Sequence, residues 1–395
     1  MILRLAGTAP AAAAWIDSFT HPASDPGGSA APGATAPGLA PEVLVLLAAT
    51  ETAAVPGISA AGSTPASRRF TAAADAELLW LGPRARRPHA LPPLPAGVSP
   101  ALISHVVVRE LGLDPLVIDL GCPCSPAVPH LRPLPAQGPA ACLSSGRSME
   151  PARVEQLLAL GQRWGRRLGP RPLLIAECVP GGTSTAQAVL QGLGLPVAGL
   201  VSGSLREPAH ALKARLVAEG LRRAGLEGTA GSTPDPRRVL AAVGDPMQAL
   251  AAGLLLGRLE RPDPLPPVLL AGGSQMAAVL ALALALAPPP QRPRLAAMAA
   301  VGTTAWVARE GGSDLSALLA KIARRWRVDP LAFAADLSFA GCRSPQLRDY
   351  ERGYVKEGVG AGGLALLWAL GGGASEPLAQ LCDQACAVLV AAPPL

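Results

Sequence analysis

Short apolar segments of strand length recur along the chain, and longer helix-like segments separate them. Most of the apolar segments contain almost only Val, Leu, Ile and Ala, without alternation of polar and apolar residues. A strand that is covered by helices on both faces has this pattern. The apolar segments are residues 43–48, 116–120, 173–175, 239–243, 268–271 and 295–301. The helix-like segments are residues 155–167, 186–193, 208–224, 247–259 and 276–286.

This alternation predicts an α/β fold with three layers (α/β/α), in which helices cover both faces of a mainly parallel, Rossmann-like sheet. With 395 residues and 50% hydrophobic content, the chain is long enough to bury a large core. Residues 42–375 are expected to form this α/β domain. Residues 1–41 precede it as an N-terminal segment, in which the stretch 18–41, rich in Pro, Gly, Ser and Ala, is expected to be mobile. Residues 88–100 and 262–267 are interpreted as surface connections.

The composition argues against several classes of partner and site. The net charge of +6 reflects 34 Lys and Arg against 28 Asp and Glu, but only 3% of residues are aromatic, so a nucleic-acid surface with stacking side chains is not expected. The uncharged stretch 268–287 is interrupted early by two glycines, which indicates a buried strand, a turn and a helix rather than a membrane span. The seven scattered cysteines lie apart from the five histidines, which favours free thiols in a reducing cytoplasm over disulfides or a metal site.

Two glycine turns follow predicted strands and precede predicted helices. They are Gly181-Gly182-Thr183-Ser184-Thr185 and Gly272-Gly273-Ser274. Free backbone N–H groups and the positive end of a helix dipole favour a phosphate at such a turn, and the hydroxyls add donors. Lys213 would supply a positive charge to the same ligand. An ordinary strand-to-helix turn and a solvated lysine are the alternatives.

Two glutamates lie beside glycine-rich backbone. Glu177 follows the apolar segment 173–175, and Glu357 is followed by Gly358 and Gly360. Glycine lets a ligand approach the backbone closely and permits unusual dihedral angles. A carboxylate in such a setting can act as a general base if burial raises its pKa towards neutrality. The alternative for Glu357 is a glutamate at a helix start, where the helix dipole favours it.

A long loop over residues 50–65 follows the first apolar segment. Its small residues, hydroxyls and two prolines would suit a flat heterocycle, and Pro56, Gly57 and Ser59 are the candidate contacts. A rigid structural loop is the alternative. The chain contains no Gly-x-Ser-x-Gly, His-Glu-x-x-His or strand-following Gly-x-Gly-x-x-Gly motif, so serine hydrolase, zinc protease and dinucleotide oxidoreductase functions lose support, and no cofactor is expected.

Several of these motifs resemble those of one enzyme family. Residues 355–363, Val-Lys-Glu-Gly-Val-Gly-Ala-Gly-Gly, resemble the Gly-Glu-Gly-Thr-Gly-Ala segment of nicotinate-nucleotide–dimethylbenzimidazole phosphoribosyltransferases. Residues 176–185 are similar to that family's Gly-Glu-Met-Gly-Ile-Gly-Asn-Thr-Thr. Residues 50–65, 244–246 and 271–276 resemble its archaeal and cyanobacterial branch more closely. The motifs occur in the same order between about residues 43 and 370.

The resemblance implies transfer of a phosphoribosyl group from nicotinate mononucleotide to a benzimidazole nitrogen. The product would be an α-ribazole phosphate for the lower loop of cobamides, with release of nicotinate. It implies that Glu357 is the general base, that Glu177 lies at the nucleotide site, that residues 181–185 bind phosphate and that Lys213 lies nearby. It also implies a homodimer, and a small helical subdomain built from the chain ends that includes residues 376–395.

The sequence departs from the family pattern at points that bear on the substrate. Val359 replaces the threonine of the glutamate motif, and Val179-Pro180 alters the first glycine turn. The acceptor base therefore stays open between a dimethylbenzimidazole-like azole and adenine or another purine. Two other functions also stay open: hydrolysis of the N-glycosidic bond, and non-catalytic nucleotide binding by a regulatory protein on the same fold.

Overall fold

The computed structural model describes residues 1–21, 41–227 and 234–391, so most of the stretch predicted to be mobile lies outside the described residues. Its centre is one sheet with the strand order β1-β8-β7-β6-β5-β2-β3-β4. Every pairing is parallel except that of β1 with β8. The strands are β1 (Ile2–Ala6), β2 (Glu42–Leu47), β3 (Pro115–Asp119), β4 (His130–Leu131), β5 (Leu173–Cys178), β6 (Val268–Ala271), β7 (Ala299–Thr304) and β8 (Leu331–Ala335).

Helices connect the strands and pack on both faces of the sheet. The α-helices are α1 (Ala9–Thr20), α2 (Pro65–Arg68), α3 (Thr71–Leu81), α4 (Ala101–Glu110), α5 (Pro151–Arg167), α6 (Gly182–Gly192), α7 (His210–Arg223), α8 (Pro236–Val243), α9 (Pro246–Leu259), α10 (Ser274–Leu286), α11 (Arg292–Met298), α12 (Ala305–Ala308), α13 (Leu315–Trp326), α14 (Pro345–Glu351), α15 (Ala361–Leu370) and α16 (Ser375–Ala391). Short 3₁₀ turns lie at Glu51–Ala54, Leu143–Ser145 and Pro289–Gln291.

The two hydrophobic cores lie on opposite faces of the sheet. Along β2, Leu44 and Leu46 contribute to one core, whereas Val43, Val45 and Leu47 contribute to the other. Successive side chains of a strand point to opposite faces, so a strand covered on both sides is apolar throughout. Helices α5 to α11 and α13 cover the first face, and α1, α3, α4 and α14 to α16 cover the second. The three-layer α/β prediction is confirmed.

Two predicted strands are wrong in whole or in part. Residues 239–243 form the end of helix α8, which begins after Asp235: this side chain accepts a hydrogen bond from the Arg237 amide, and Pro236 is the first helical residue. This Asp-Pro start signal outweighs the apolar run that follows it. The segment 295–301 is divided, because α11 continues to Met298 and β7 begins at Ala299.

The chain ends also join the main body of the protein. Strand β1 pairs antiparallel with β8, and Trp15 of α1 stacks on Phe333 of β8, so the N-terminal residues add a covering helix and an edge strand, of which the edge strand was not predicted. Helix α16 contributes Cys382 and Cys386 to the second core. The partition of the chain at residues 41 and 375 stays a prediction.

The strand order places a crevice between β2 and β5. From β2 the chain adds β3 and β4 on one side, and it then returns to build β5, β6, β7 and β8 on the other. Ligands of open parallel sheets bind at the carboxyl ends of the strands where the order reverses in this way. The segment 268–287 forms β6, a turn and α10, as predicted. No helix within the described ranges is long and apolar enough to cross a membrane.

Candidate active site

A cavity of about 250 Å³ lies at the carboxyl ends of the central strands. It contains both glutamates that the sequence analysis singled out, Glu177 and Glu357. The walls come from residues 59–61, helix α3, residues 91–100, residues 177–183, residues 202–204, residues 273–275 and residues 354–359. Glu177 and Glu357, 180 positions apart in the chain, therefore meet in one site.

Glu177 occupies the second-last position of β5 and is 2% exposed. Its Oε2 accepts a hydrogen bond of 3.1 Å from the Val179 amide. Burial, together with the negative charge of Glu357, raises the pKa of Glu177 to about 8, although hydrogen bonds from Val179 and Gln275 oppose the shift. Around pH 7 this carboxyl group is therefore mostly protonated in the unliganded protein.

Glu357 is fixed by four hydrogen-bond donors. Thr303 Oγ1 and the Thr304 amide donate to Oε2 at 2.8 and 3.2 Å. The amides of Gly358 and Gly362 donate to Oε1 at 3.1 and 2.9 Å. Burial raises the pKa of Glu357 above its ordinary value, and these four donors oppose the shift because they favour the charged form. The carboxylate is thus held in one orientation at the junction of β7 and α15.

The segment that carries Glu357 is docked on the end of β5. The amide of Val359 donates to the carbonyl oxygen of Glu177 at 2.8 Å. Gly360 has a positive φ of 73°, and a Cβ at this position would lie 2.5 Å from the Cβ of Ala176. Only glycine fits such an approach without displacement. This backbone contact brings the two glutamates into one cavity.

Backbone strain is concentrated beside Glu357. Val355, Lys356 and Val359 have φ values of 66°, 65° and 54°, a region that β-branched and long side chains rarely adopt. Such residues cost about 1–3 kcal/mol each and persist where the surrounding structure holds them. Val359, which replaces the family's threonine, is fully buried in the second core and also lines the cavity, where it offers no hydroxyl group to a ligand.

The first glycine turn contributes only its first half to the cavity. Gly181, Gly182 and Thr183 line the cavity at the start of α6. Ser184 and Thr185 do not line it: both are fully buried, and Thr185 Oγ1 donates to Asp245 at 2.5 Å. Thr185 therefore ties α6 to the start of α9 beneath the turn, which is a structural contact that the spacing of the motif did not reveal.

The second glycine turn approaches the first from the neighbouring strand. Gly273, Ser274 and Gln275 line the cavity, whereas Gly272 lies just behind it, beside the carboxylate of Glu177. A Cβ on Gly182 would overlap the amide oxygen of Gln275, so the two turns are in close contact. That amide oxygen is buried and accepts no hydrogen bond from the described residues.

Two buried lysines lie behind the wall formed by residues 202–204. Lys213 Nζ donates to the carbonyl of Ser202 at 2.6 Å, and Lys356 Nζ donates to the carbonyl of Leu205 at 2.9 Å. Lys356 also forms an ion pair of 2.6 Å with Glu310. Burial lowers the pKa of Lys213 to about 8, with Glu310 opposing and Lys356 adding to the shift. When both lysines are charged, the cluster is positive overall, which favours an anion at this wall.

The wall of residues 91–100 corrects the prediction of a surface connection. Leu91, Pro92, Leu94, Pro95, Val98 and Pro100 form an apolar side of the cavity. The segment is held by Tyr350, whose hydroxyl donates to the carbonyl of Val98 at 2.8 Å, and by Asp349, which accepts from the Gly97 amide at 2.7 Å. The sequence of a proline-rich segment predicts a loop, but the position of that loop at a ligand cavity depends on these tertiary contacts.

The predicted heterocycle loop only partly reaches the cavity. Ser59 lines it, whereas Pro56 and Gly57 are exposed and lie outside it. Gly358 lines the cavity, and Gly360 acts through its packing on β5. Asp119, at the end of β3, lies elsewhere, paired with Arg132 at 3.0 Å. Among the described residues, no group of three or more His, Cys, Asp and Glu could hold a metal ion.

The structure adds cavity residues that the sequence analysis did not identify as site residues. Asp75 and Ser99 face each other on the cavity wall, and Lys356 and Gln275 border the two glutamates. Asp75 is one of two acidic residues, with Glu77, in the otherwise apolar helix α3, and Lys356 is the neighbour of Glu357. Nothing in the sequence showed that these positions face a common cavity.

Residues 101–300 match a family model described as phosphoribosyltransferase (DBI_PRT). This chain belongs to that family. The match covers half of the chain and includes the first glycine turn, Glu177 and Lys213. The enzyme class is therefore phosphoribosyl transfer, as the resemblance of the motifs implied.

Sequence relatives extend the match to most of the chain. A UPF0284 protein of Parasynechococcus marenigrum (strain WH8102) is 54% identical over 89% of this chain and 88% of its own length. UPF0284 proteins of Prochlorococcus marinus (strain MIT 9313) and Gloeobacter violaceus (strain ATCC 29082 / PCC 7421) are 53% and 46% identical, each over 88% of this chain and over 86% and 88% of their own lengths. These relatives are cyanobacterial, which agrees with the branch that the motifs resembled.

Solved structures show the same fold at lower identity. The nicotinate-nucleotide–dimethylbenzimidazole phosphoribosyltransferase of Thermus thermophilus superposes with a TM-score of 0.52 at 21% identity, over 87% of each chain. A structure of CobT from the same organism gives a TM-score of 0.52 at 20% identity, over 94% of this chain and 98% of that protein. The shared architecture agrees with the parallel sheet described above.

Proposed function

We propose that this enzyme transfers the phosphoribosyl group of nicotinate mononucleotide to a ring nitrogen of an azole or purine base, with release of nicotinate. The product would be an α-linked nucleotide of the kind used in the lower loop of cobamides. The observation that carries the proposal is the meeting of Glu177 and Glu357 in a single cavity whose other walls are two glycine turns and an apolar segment.

The two ends of the cavity suit the two substrates. The first turn lies at the start of α6, where the helix dipole favours a phosphate, and the lysine cluster behind residues 202–204 adds positive charge. The unpaired amide oxygen of Gln275 would accept a ribose hydroxyl beside Glu177. The apolar wall of residues 91–100 would pack against a flat ring next to Glu357. In this arrangement, the sugar lies between the two glutamates.

The reaction is a displacement at the ribose C1′ carbon. The C1′–N bond to nicotinate breaks, and its electron pair returns to the pyridine nitrogen, which is cationic while glycosylated and therefore leaves readily. A ring nitrogen of the incoming base supplies the electron pair of the new C1′–N bond. The N–H proton of that base passes to the carboxylate of Glu357, which needs to be ionised to accept it. Fixing both substrates in one cavity supplies much of the acceleration.

Four existing hydrogen bonds constrain how Glu357 takes the proton. An ionised carboxylate offers about four acceptor positions, and the donors to Glu357 already use them. The amide of Gly358, which belongs to the adjacent residue and lies on the cavity side, is the donor that an incoming N–H would displace. The other three bonds would keep the carboxylate oriented during transfer.

The direct test is to incubate the protein with nicotinate mononucleotide and a panel of azoles and purines. We expect free nicotinate and a new α-linked nucleotide in equal amounts, and only when an acceptor base is present. Nicotinate and ribose phosphate without acceptor would indicate hydrolysis instead. Thermal stabilisation by the nucleotide without any turnover would indicate a non-catalytic binding protein.

We further infer that the enzyme works in the cytoplasm as a homodimer. All seven cysteines are free thiols in the structure, and five of them are buried and have a raised pKa, which suits a reducing compartment. Sedimentation velocity at micromolar concentration tests the assembly: a single species of about twice the chain mass is expected, and a species of one chain mass contradicts it.

A further inference from the structure

The cavity contains a third buried carboxylate, which the proposed reaction does not use. Asp75 lies in the middle of α3, is 5% exposed and lines the cavity. Ser99 Oγ donates to Asp75 Oδ1 at 2.6 Å, and Cys178 Sγ lies 3.5 Å from Oδ2 as a weak donor. Both of these partners are neutral. The charge of Asp75 is therefore not balanced by its own contacts.

The carboxylate of Asp75 has acceptor capacity left for a ligand. An ionised carboxylate offers about four acceptor positions, of which Ser99 fills one and Cys178 weakly fills another. Burial raises the pKa of Asp75 to about 6, and these two hydrogen bonds oppose the shift. The group is thus mostly ionised above pH 7. A buried, partly satisfied acceptor gains free energy when a ligand N–H group pairs with it.

The contacts of Asp75 place it at the heterocycle end of the cavity. Ser99 belongs to the segment that forms the apolar wall, and Pro100 follows it directly. A Cβ on Gly358 would lie 3.0 Å from Pro100 Cγ, so this wall abuts the segment that carries the proposed base. Cys178 follows the other glutamate in β5. The Asp75 carboxylate therefore faces the space between an apolar surface and the reacting end of the cavity.

We propose that Asp75 determines which base is accepted, an inference that rests on the proposed function. Its carboxylate accepts a hydrogen bond from an N–H donor on the incoming heterocycle, so the site selects an amino-substituted ring such as adenine. A site built to bind an N–H group discriminates strongly against an analogue that lacks it, because its own polar group is then left unpaired. 5,6-Dimethylbenzimidazole presents methyl groups on the edge away from its ring nitrogens and leaves Asp75 without a partner.

Adenine and unsubstituted purine form a matched pair of probes, because they differ only in the exocyclic amino group. Calorimetry measures the binding of each base to the full protein, and nicotinate release from nicotinate mononucleotide measures kcat/KM with each base. We expect adenine to be favoured by about tenfold or more in both measurements. Asp75→Leu, which removes the acceptor, is expected to bring the ratio close to one. Ser99→Ala, which removes the tether but keeps the carboxylate, should retain the preference.

The outcomes separate this proposal from the reaction on which it rests. Equal affinity of the wild-type protein for adenine and purine overturns the role of Asp75, whatever the variants do. If Asp75→Leu loses affinity and kcat/KM equally for both bases, so that their ratio is unchanged, Asp75 has a structural role and the proposal is also overturned. Selective binding of adenine that is lost in Asp75→Leu, without nicotinate release by the wild-type protein, supports Asp75 as the determinant and overturns the transfer reaction instead.

Discussion

Glu177 and Glu357 have the same side chain and share one cavity, but their surroundings differ. Glu357 accepts four hydrogen bonds, three of them from backbone amides at the ends of β7 and α15. Glu177 accepts one from the Val179 amide and one from Gln275, and the charge of Glu357 opposes its ionisation. Donors that favour the charged form are thus concentrated on one carboxylate and are scarce around the other.

The difference assigns different states to two otherwise equivalent groups. Two carboxylates in one low-dielectric cavity do not ionise independently, and the one with fewer donors keeps its proton to higher pH. The proposed function accordingly gives Glu357, which has more donors to its charged form, the role of the base, and gives Glu177, whose pKa is raised to about 8, the role of a donor to a nucleotide hydroxyl. The same comparison yields four predictions, which are ordered below by the size of the expected effect.

The largest effect is expected from Glu357→Gln. The amide has a similar shape but does not take up the proton, so turnover should fall by about a hundredfold or more while nicotinate mononucleotide binds nearly normally. Nicotinate release and calorimetric binding are the two measurements. Glu177→Gln is the matched control, and it should reduce turnover less and weaken nucleotide binding more. If Glu177→Gln lost more turnover than Glu357→Gln, the roles proposed for the two glutamates would have to be exchanged.

Thr303→Val removes one donor to Glu357 and keeps the side-chain shape. Losing a hydrogen bond to the charged form raises the pKa of Glu357 further, so the rising limb of the pH–rate profile should move to higher pH. At pH values below the limb, turnover of the variant should be about tenfold lower than that of the wild type. Gln275→Leu makes the corresponding change beside Glu177 and should alter nucleotide KM without moving that limb. Identical pH profiles for wild type and Thr303→Val would contradict the assignment of the base.

Gly360→Ala tests how the two glutamates are brought together. The new Cβ would press on Ala176 at a residue with positive φ, so we expect the free energy of unfolding to fall by about 1–3 kcal/mol and Glu357 to be displaced from β5. Chemical denaturation measures the loss. Gly372→Ala is the control, since Gly372 also has positive φ but an added Cβ would meet nothing within 4 Å. Equal losses of unfolding free energy in both variants would show that the contact of residue 360 with Ala176 does not affect stability.

The smallest effect concerns the pH dependence of stability. The pKa of Glu177 is raised from 4.5 to about 8 in the folded protein, so the folded state binds the proton more tightly than the unfolded state does. The contribution of Glu177 to the stability of the folded state is complete below pH 4.5 and is lost as the pH rises through 8. In Glu177→Gln, the fall in Tm between pH 6 and pH 9 should be smaller than in the wild type by a few degrees. An unchanged slope would mean that Glu177 is ionised throughout.

The sequence predicted the three-layer fold class and singled out the two glutamates that line the cavity. Uninterrupted apolar runs such as residues 173–175 predicted strands covered on both faces, and these strands form the centre of the sheet. Glycine next to Glu357 indicated close backbone approach, and Gly360 packs against β5. Residues 239–243 form the end of a helix rather than the predicted strand, because apolar content alone does not distinguish a buried strand from a buried helix and Asp235-Pro236 starts the helix.

The remaining features of the site depend on tertiary contacts that leave no local signal. Residues 91–100 read as a surface loop, yet hydrogen bonds from Tyr350 and to Asp349, some 250 positions later, hold them against the cavity. Asp75 is one of two acidic residues in α3, and only its contacts with Ser99 and Cys178 show that it faces the cavity. Thr185 looked like part of a phosphate loop, but it binds Asp245 beneath the turn.

The most direct test of the account is a crystal structure of the protein with nicotinate mononucleotide and an acceptor base bound. The account predicts the phosphate against Gly181–Thr183 and the wall of residues 202–204, the ribose between the two glutamates, and a ring nitrogen of the base within hydrogen-bond distance of Glu357. A nucleotide bound outside this cavity, or a base whose ring nitrogens lie far from Glu357, would contradict it.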